Sequence, residues 1–199
     1  MAGKLDEILA EIAELQGRFE QELAQTQQRL RYTVSRGRAV FDAETRAAHR
    51  AARDTLGQFL RHVRPMHVLT APLIYSLILP FALLDLFVSL YQALCFPVYG
   101  LQKVRRADHI LIDRQFLAYL NLLQKLNCVY CSYCNGLISY VREIAARSES
   151  YWCPIKHSRR VKGTHNLHAR FIDYGDAQGW AAHLAAQRAA AARRRSGKT

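Results

Sequence analysis

The sequence predicts a mainly α-helical, membrane-anchored protein, and three observations carry that prediction. Glycine and proline number only ten and five in 199 residues, while Ala, Leu, Arg and Gln dominate, a composition of helices with few turns. Apolar residues near the N-terminus recur at steps of three and four. From Val68 to Leu101, thirty-four residues pass with Asp85 as the only formal charge, longer than the roughly 20 residues that cross a bilayer core. Lys and Arg number 28 against 16 Asp and Glu, a formal net charge of +12 that favours anionic surfaces such as lipid head groups.

Residues 1–64 read as N-terminal polar helices. Leu5, Ile8, Ile12, Leu15 and Phe19, continued less regularly by Leu23, Leu30 and Val34, form a heptad-like stripe ringed by Glu, Gln and Arg. Such a helix either pairs with another protein or folds back on its own domain. From Arg31 to Arg64 the chain is basic and Ala-rich with weak strand signals, so a polar helix or pair of helices is expected. The N-terminus has no apolar core followed by a small-residue cleavage site, which keeps this third in the cytoplasm.

Residues 66–101 read as the membrane segment. A single tilted helix from Ala71 to Tyr99 puts Asp85 near the midplane, where an ionised carboxylate costs at least ~2.5 kcal/mol. A hairpin turning between Pro80 and Asp85 avoids that cost, since proline weakens the helical ladder. Arg53, Arg61 and Arg64 precede the segment, and Lys103, Arg105 and Arg106 follow it. Basic residues favour the cytoplasmic side, so the hairpin, with both termini cytoplasmic, is the preferred reading.

Residues 108–175 carry the cysteines. Ile112, Phe116, Tyr119, Leu120, Leu123, Leu126 and Tyr130 have helical spacing within a helix expected from Asp108 to Arg147, and Asn135-Gly136 suggests a break after the thiols. Cys128, Cys131 and Cys134 lie on one arc of that helix. In YWCPIKH, the proline after Cys153 suits the first position of a new helix, which makes Cys153 a cap within one turn of His157.

Two ligand sets follow. Cys128, Cys131, Cys153 and His157 form CxxC, twenty-one residues, then CxxxH, three thiolates and an imidazole suited to a tetrahedral zinc ion. Cys128, Cys131, Cys134 and Cys153 are four thiolates that suit a 4Fe-4S cluster, although the eighteen-residue gap before Cys153 departs from the three of the common pattern. Reactive thiols without metal, or cysteines that only fill a packing surface, are the remaining readings. Cys95, inside the apolar segment, belongs with packing.

The run from Cys128 to Ile144, with YWCPIKH, resembles a group of small bacterial membrane proteins. The resemblance spans roughly residues 66–175. It implies a shared membrane-plus-cysteine architecture in the bacterial inner membrane and supplies no activity.

Other residues carry weaker signals. His165 and His168 are candidate extra ligands, and Arg159, Arg160, Lys162 and Arg170 form a basic stretch able to meet phosphates. Glu143 and Glu149 are candidate bases beside a metal-bound water, a role that a closed four-ligand shell removes. No glycine-rich phosphate loop, GxSxG elbow or HExxH is present, so the expectation leans away from an enzyme. Residues 176–199 read as a basic Ala-rich tail. The function expected is a membrane-anchored helical protein with a structural, zinc-like Cys/His site on the cytoplasmic side, acting in assembly or interaction. The alternative is a membrane-bound redox protein. Nucleic acid is disfavoured, because no stacking platform or recognition helix accompanies the charge.

Overall fold

Helices account for most of the chain, as expected. The computed structural model describes residues 2–35 and 38–195, with side chains over residues 6–35 and 38–190. The side chain of Leu5 and residues 196–199 of the basic tail lie outside the described residues. In order come α1 (Ala2–Arg29), β1 (Tyr32–Ser35), β2 (Arg38–Phe41), α2 (Ala43–Ala51), α3 (Leu56–His62), α4 (Pro65–Ser76), α5 (Ile78–Tyr99), α6 (Leu122–Trp152) and α7 (Ala177–Arg195). They divide into two compact units, one built from the chain up to Val68 with Ile112–Tyr130, the other from Leu69–Leu111 with the chain from Cys131 on.

The first unit corrects the expectation of helices alone between residues 31 and 64. β1 and β2 pair antiparallel, Tyr32 opposite Phe41 and Ser35 opposite Arg38. The signal lay in YTVS and RAVF, separated by Arg36-Gly37. β-formers around a two-residue connection containing glycine mark a hairpin. The hairpin starts an aromatic series: Tyr32 to Phe41 at 5.3 Å, Phe41 to His49 at 4.9 Å and His49 to Tyr119 at 5.1 Å between ring centroids. Asp42 caps α2 by accepting from the Thr45 N–H at 2.7 Å. Thr55 and Gln58 form a reciprocal capping box on α3. Among the described residues the α1 stripe stays uncovered: Ile8, Ile12, Leu15, Phe19 and Leu23 are all exposed.

The apolar segment does not reverse. α4 and α5 are separated by Leu77 alone, whose backbone is still helical (φ −63°, ψ −14°), and its carbonyl accepts from the Phe81 N–H at 3.2 Å. Pro80 therefore falls in the first turn of α5, where a helix N–H has no intrahelical partner and proline removes nothing. The hairpin turn expected between Pro80 and Asp85 is thus a continuous helix. It ends at Gly100, which takes a left-handed conformation (φ 69°) and donates to the Pro97 carbonyl, while Leu101 N–H reaches Phe96 O at 2.8 Å.

That glycine cap turns residues 101–111 back along α5 in the second unit. Phe96, Val104, Leu137, Tyr140 and Ile144 form its core, joined by half-buried Phe81, Val88 and Tyr91. Gln92 is buried and holds the returning chain from inside: its amide accepts from the Val104 N–H and donates to the Tyr140 hydroxyl at 2.8 Å. α6 begins later than expected, at Leu122 rather than near Asp108. Asn121 and Gln124 cap it reciprocally, each side chain accepting the other's N–H at 2.9 to 3.0 Å.

Candidate functional site

The cysteines follow from one property of α6. It runs unbroken from Leu122 to Trp152. Asn135 does not start a turn, because its amide donates to the Cys131 carbonyl one helical turn back at 3.0 Å. Gly136 serves close packing instead: a Cβ there would stand 2.7 Å from the His109 carbonyl oxygen and 2.8 Å from Ile110 Cα. The dipeptide that suggested a break marks where the returning chain crosses the helix.

A continuous helix keeps the two ligand clusters apart. Cys131 and Cys153 are separated by 22 positions, about 33 Å at 1.5 Å per residue. Cys128 and Cys134 ride the same helix as Cys131. The structure therefore brings together neither Cys128, Cys131, Cys153 and His157 nor the four-thiolate set with Cys134. Among the described residues, no three His, Cys, Asp or Glu side chains converge as a metal shell. Cys131 and Cys153 are exposed, Cys128 and Cys95 half-buried, and Cys134 buried.

Cys153 also does not cap a new helix. Beyond Trp152 the helix stops, the Ile155 N–H turns tightly onto the Cys153 carbonyl at 2.7 Å, and Ile155 bridges Ile172 in parallel, with Ile172 N–H donating to Pro154 O and Lys156 N–H to Ile172 O, both at 2.8 Å. Lys156 pairs with Asp173 at 2.7 Å, and Phe171, next to Ile172 in the chain, is buried. Arg142 donates to the Gly163 carbonyl at 2.9 Å and to that of Thr164. These contacts close residues 156–171 into a loop against α6. Inside it, His168 lies 6.0 Å from both His157 and His165 between ring centroids, and His165 Nε2 meets Glu149 Oε2 at 2.9 Å. Glu149 thus engages a histidine rather than standing free as a base, and Glu143 pairs with Arg147 at 2.8 Å.

Asp85 forms the other polar centre, and its partners could not be read from spacing. Its carboxylate accepts from Arg106 at 2.6 Å, Tyr133 Oη at 3.0 Å and Ser89 Oγ at 3.2 Å. The bond to Asp85 raises the Arg106 pKa. Burial, and then the neighbouring carboxylate, raise that of Tyr133. A groove of about 390 Å³ opens between α5 and α6, its lining including Val88, Tyr91, Ile144, Glu149, Trp152 and Cys153.

Fold and sites define a mainly helical protein with, among the described residues, one helical run, Pro65–Tyr99, long and apolar enough to cross a membrane. The chain matches no family model, and neither curated proteins nor solved structures show significant similarity to it.

Proposed function

We propose that this protein is a bacterial inner-membrane helical protein anchored through the apolar residues 65–84, and that it acts as an interaction or assembly factor through the parts it holds outside the hydrocarbon. The observation that carries this is the bareness of those 20 residues. Around α4 and the first turns of α5, Met66, Leu69, Leu73, Leu77, Leu79 and Leu83 are exposed, and no residue of α4 is buried. A helix that is apolar all round suits hydrocarbon and not water. Twenty residues rise about 30 Å, the thickness of a bilayer core.

The far boundary follows from the returning chain. Irregular backbone facing lipid is not tolerated within hydrocarbon. From Asp85 onward α5 is flanked by residues 101–111, with Arg105 80 % exposed, so the hydrocarbon ends near Asp85. Arg64 marks the other end, and with Arg53 and Arg61 before the run and Lys103, Arg105 and Arg106 after it, both flanks carry the positive charge that favours the cytoplasmic face. One crossing would part His49 from Tyr119, which pack 5.1 Å apart although one precedes the run and the other follows it, so the same-side topology is kept for both flanks. The exposed α1 stripe supports a partner helix on the N-terminal side.

The test is alkaline extraction of membranes together with reporter fusions before Met66 and after Thr199. Retention in the membrane and matching cytoplasmic reporter signals are expected. Release as a monomer at high pH overturns the anchor, and opposite signals overturn the same-side arrangement.

A further inference from the structure

We propose that His157, His165 and His168 form a binding site for a divalent transition-metal ion, with Glu149 orienting His165 from behind. The site is independent of membrane topology and of the CxxC cysteines. Four observations support it. The Ile155–Ile172 bridge and buried Phe171 close the loop that carries all three histidines and hold it at one place. His168 sits between the other two rings, 6.0 Å from each.

The third observation concerns protons. Glu149 at 2.9 Å is an acceptor, so the His165 proton belongs on Nε2 and the lone pair on Nδ1. A carboxylate behind a histidine is the usual support of a metal-ligating imidazole, fixing its tautomer and raising its basicity. The fourth concerns what those lone pairs meet. His165 Nδ1 and His168 Nε2 are both fully buried and have no hydrogen-bond partner. A buried polar atom left unpaired carries a free-energy cost. Two in one cluster, one of them backed by a carboxylate, describe a place where a cation satisfies both.

The donor set is nitrogen-rich and selects zinc, nickel, cobalt or copper over magnesium or calcium, which take oxygen. Two imidazoles on one tetrahedral ion have centroids roughly 5 Å apart, given metal–nitrogen bonds of about 2.0–2.1 Å. The rings stand 6.0 Å apart, and no three donors converge among the described residues, so binding draws them in by about 1 Å. His157 is exposed and free to rotate toward the ion.

The experiment titrates Zn(II) and Co(II) into the full-length, metal-stripped protein in detergent, reading stoichiometry by elemental analysis and ligand type by the Co(II) spectrum. One equivalent per chain is expected, without a thiolate-to-cobalt charge-transfer band. His165→Ala and His168→Ala should abolish it, Glu149→Gln should weaken it about 10- to 100-fold, and Cys128→Ser with Cys131→Ser should leave it unchanged. His157→Ala, at an exposed position, provides a variant whose fold is undisturbed; unchanged circular dichroism with weakened binding separates ligation from unfolding. Absence of a bound equivalent overturns the site. So does a charge-transfer band lost with the cysteines, or binding that survives His165→Ala and His168→Ala together.

Discussion

Arg106 reaches back along α5 and closes at 2.6 Å on Asp85, whose side chain is 16 % exposed while that of Arg106 is 48 % exposed. The one acidic residue of the long apolar run is thus neither naked in lipid nor free for proton transfer. It ties the chain leaving α5 to the helix it has just left. Tyr133 brings α6 to the same carboxylate.

This pairing predicts an asymmetry. Arg106→Ala leaves a largely buried carboxylate with hydroxyl donors only, and should destabilise the second unit by about 1–3 kcal/mol, between the values for exposed and buried pairs. Asp85→Asn keeps one acceptor oxygen and removes the charge that would otherwise be stranded, and should cost less. Unfolding in mixed detergent with increasing SDS measures the order. Arg106→Ala milder than Asp85→Asn would show that the carboxylate is not the strained partner.

Tyr133 predicts the alkaline limit. Its pKa in the folded protein lies above the ordinary 10.0, so the fold holds this proton more tightly than the unfolded chain does. The associated stability is complete below pH 10.0 and is lost as pH rises through the folded value. Melting temperatures between pH 9 and 11 should fall more steeply in the wild type than in Tyr133→Phe, which has no such proton. Parallel curves would remove Tyr133 from the account.

Gly136 separates helix propensity from packing. Alanine there is the better helix former by about 1 kcal/mol, yet its Cβ meets the backbone of His109 and Ile110 below 3 Å. Gly136→Ala should therefore destabilise by about 1–3 kcal/mol while the helical signal is kept. Gly17, with nothing within 4 Å of a Cβ, is the control. Gly17→Ala should stabilise α1 by up to about 1 kcal/mol. A neutral Gly136→Ala would mean that the returning chain yields.

The thiols predict a labelling order. Cys131 and Cys153, both exposed, should react first with a maleimide, and buried Cys134 last. Because α6 is unbroken between the first pair, a crosslinker spanning one helical turn should give no intramolecular Cys131–Cys153 product. Mass spectrometry of single-chain peptides reads this, and such a product in the folded protein would show that α6 breaks after the cysteines.

The sequence by itself determined the helical class, the apolar run and its lone charge, because hydrophobic period and length are local properties that any fold must respect. The clustering of thiols at 128–134 and of Cys153 with His157 was legible for the same reason. What only the tertiary structure decided was which of these meet. Asn135-Gly136 reads as a turn when neighbours along the chain are all that is known. In the fold the glycine admits His109 and Ile110, the helix continues, and the two cysteine clusters end about 33 Å apart. Asp85 finds Arg106 twenty-one residues on and Tyr133 forty-eight on, and His165 finds Glu149 sixteen residues back. Distances of that kind along the chain carry no periodic signal. They are set when Gly100 turns the chain back over α5 and the Ile155–Ile172 bridge closes the histidine loop, since packing, rather than local preference, selects the partner of a buried polar group.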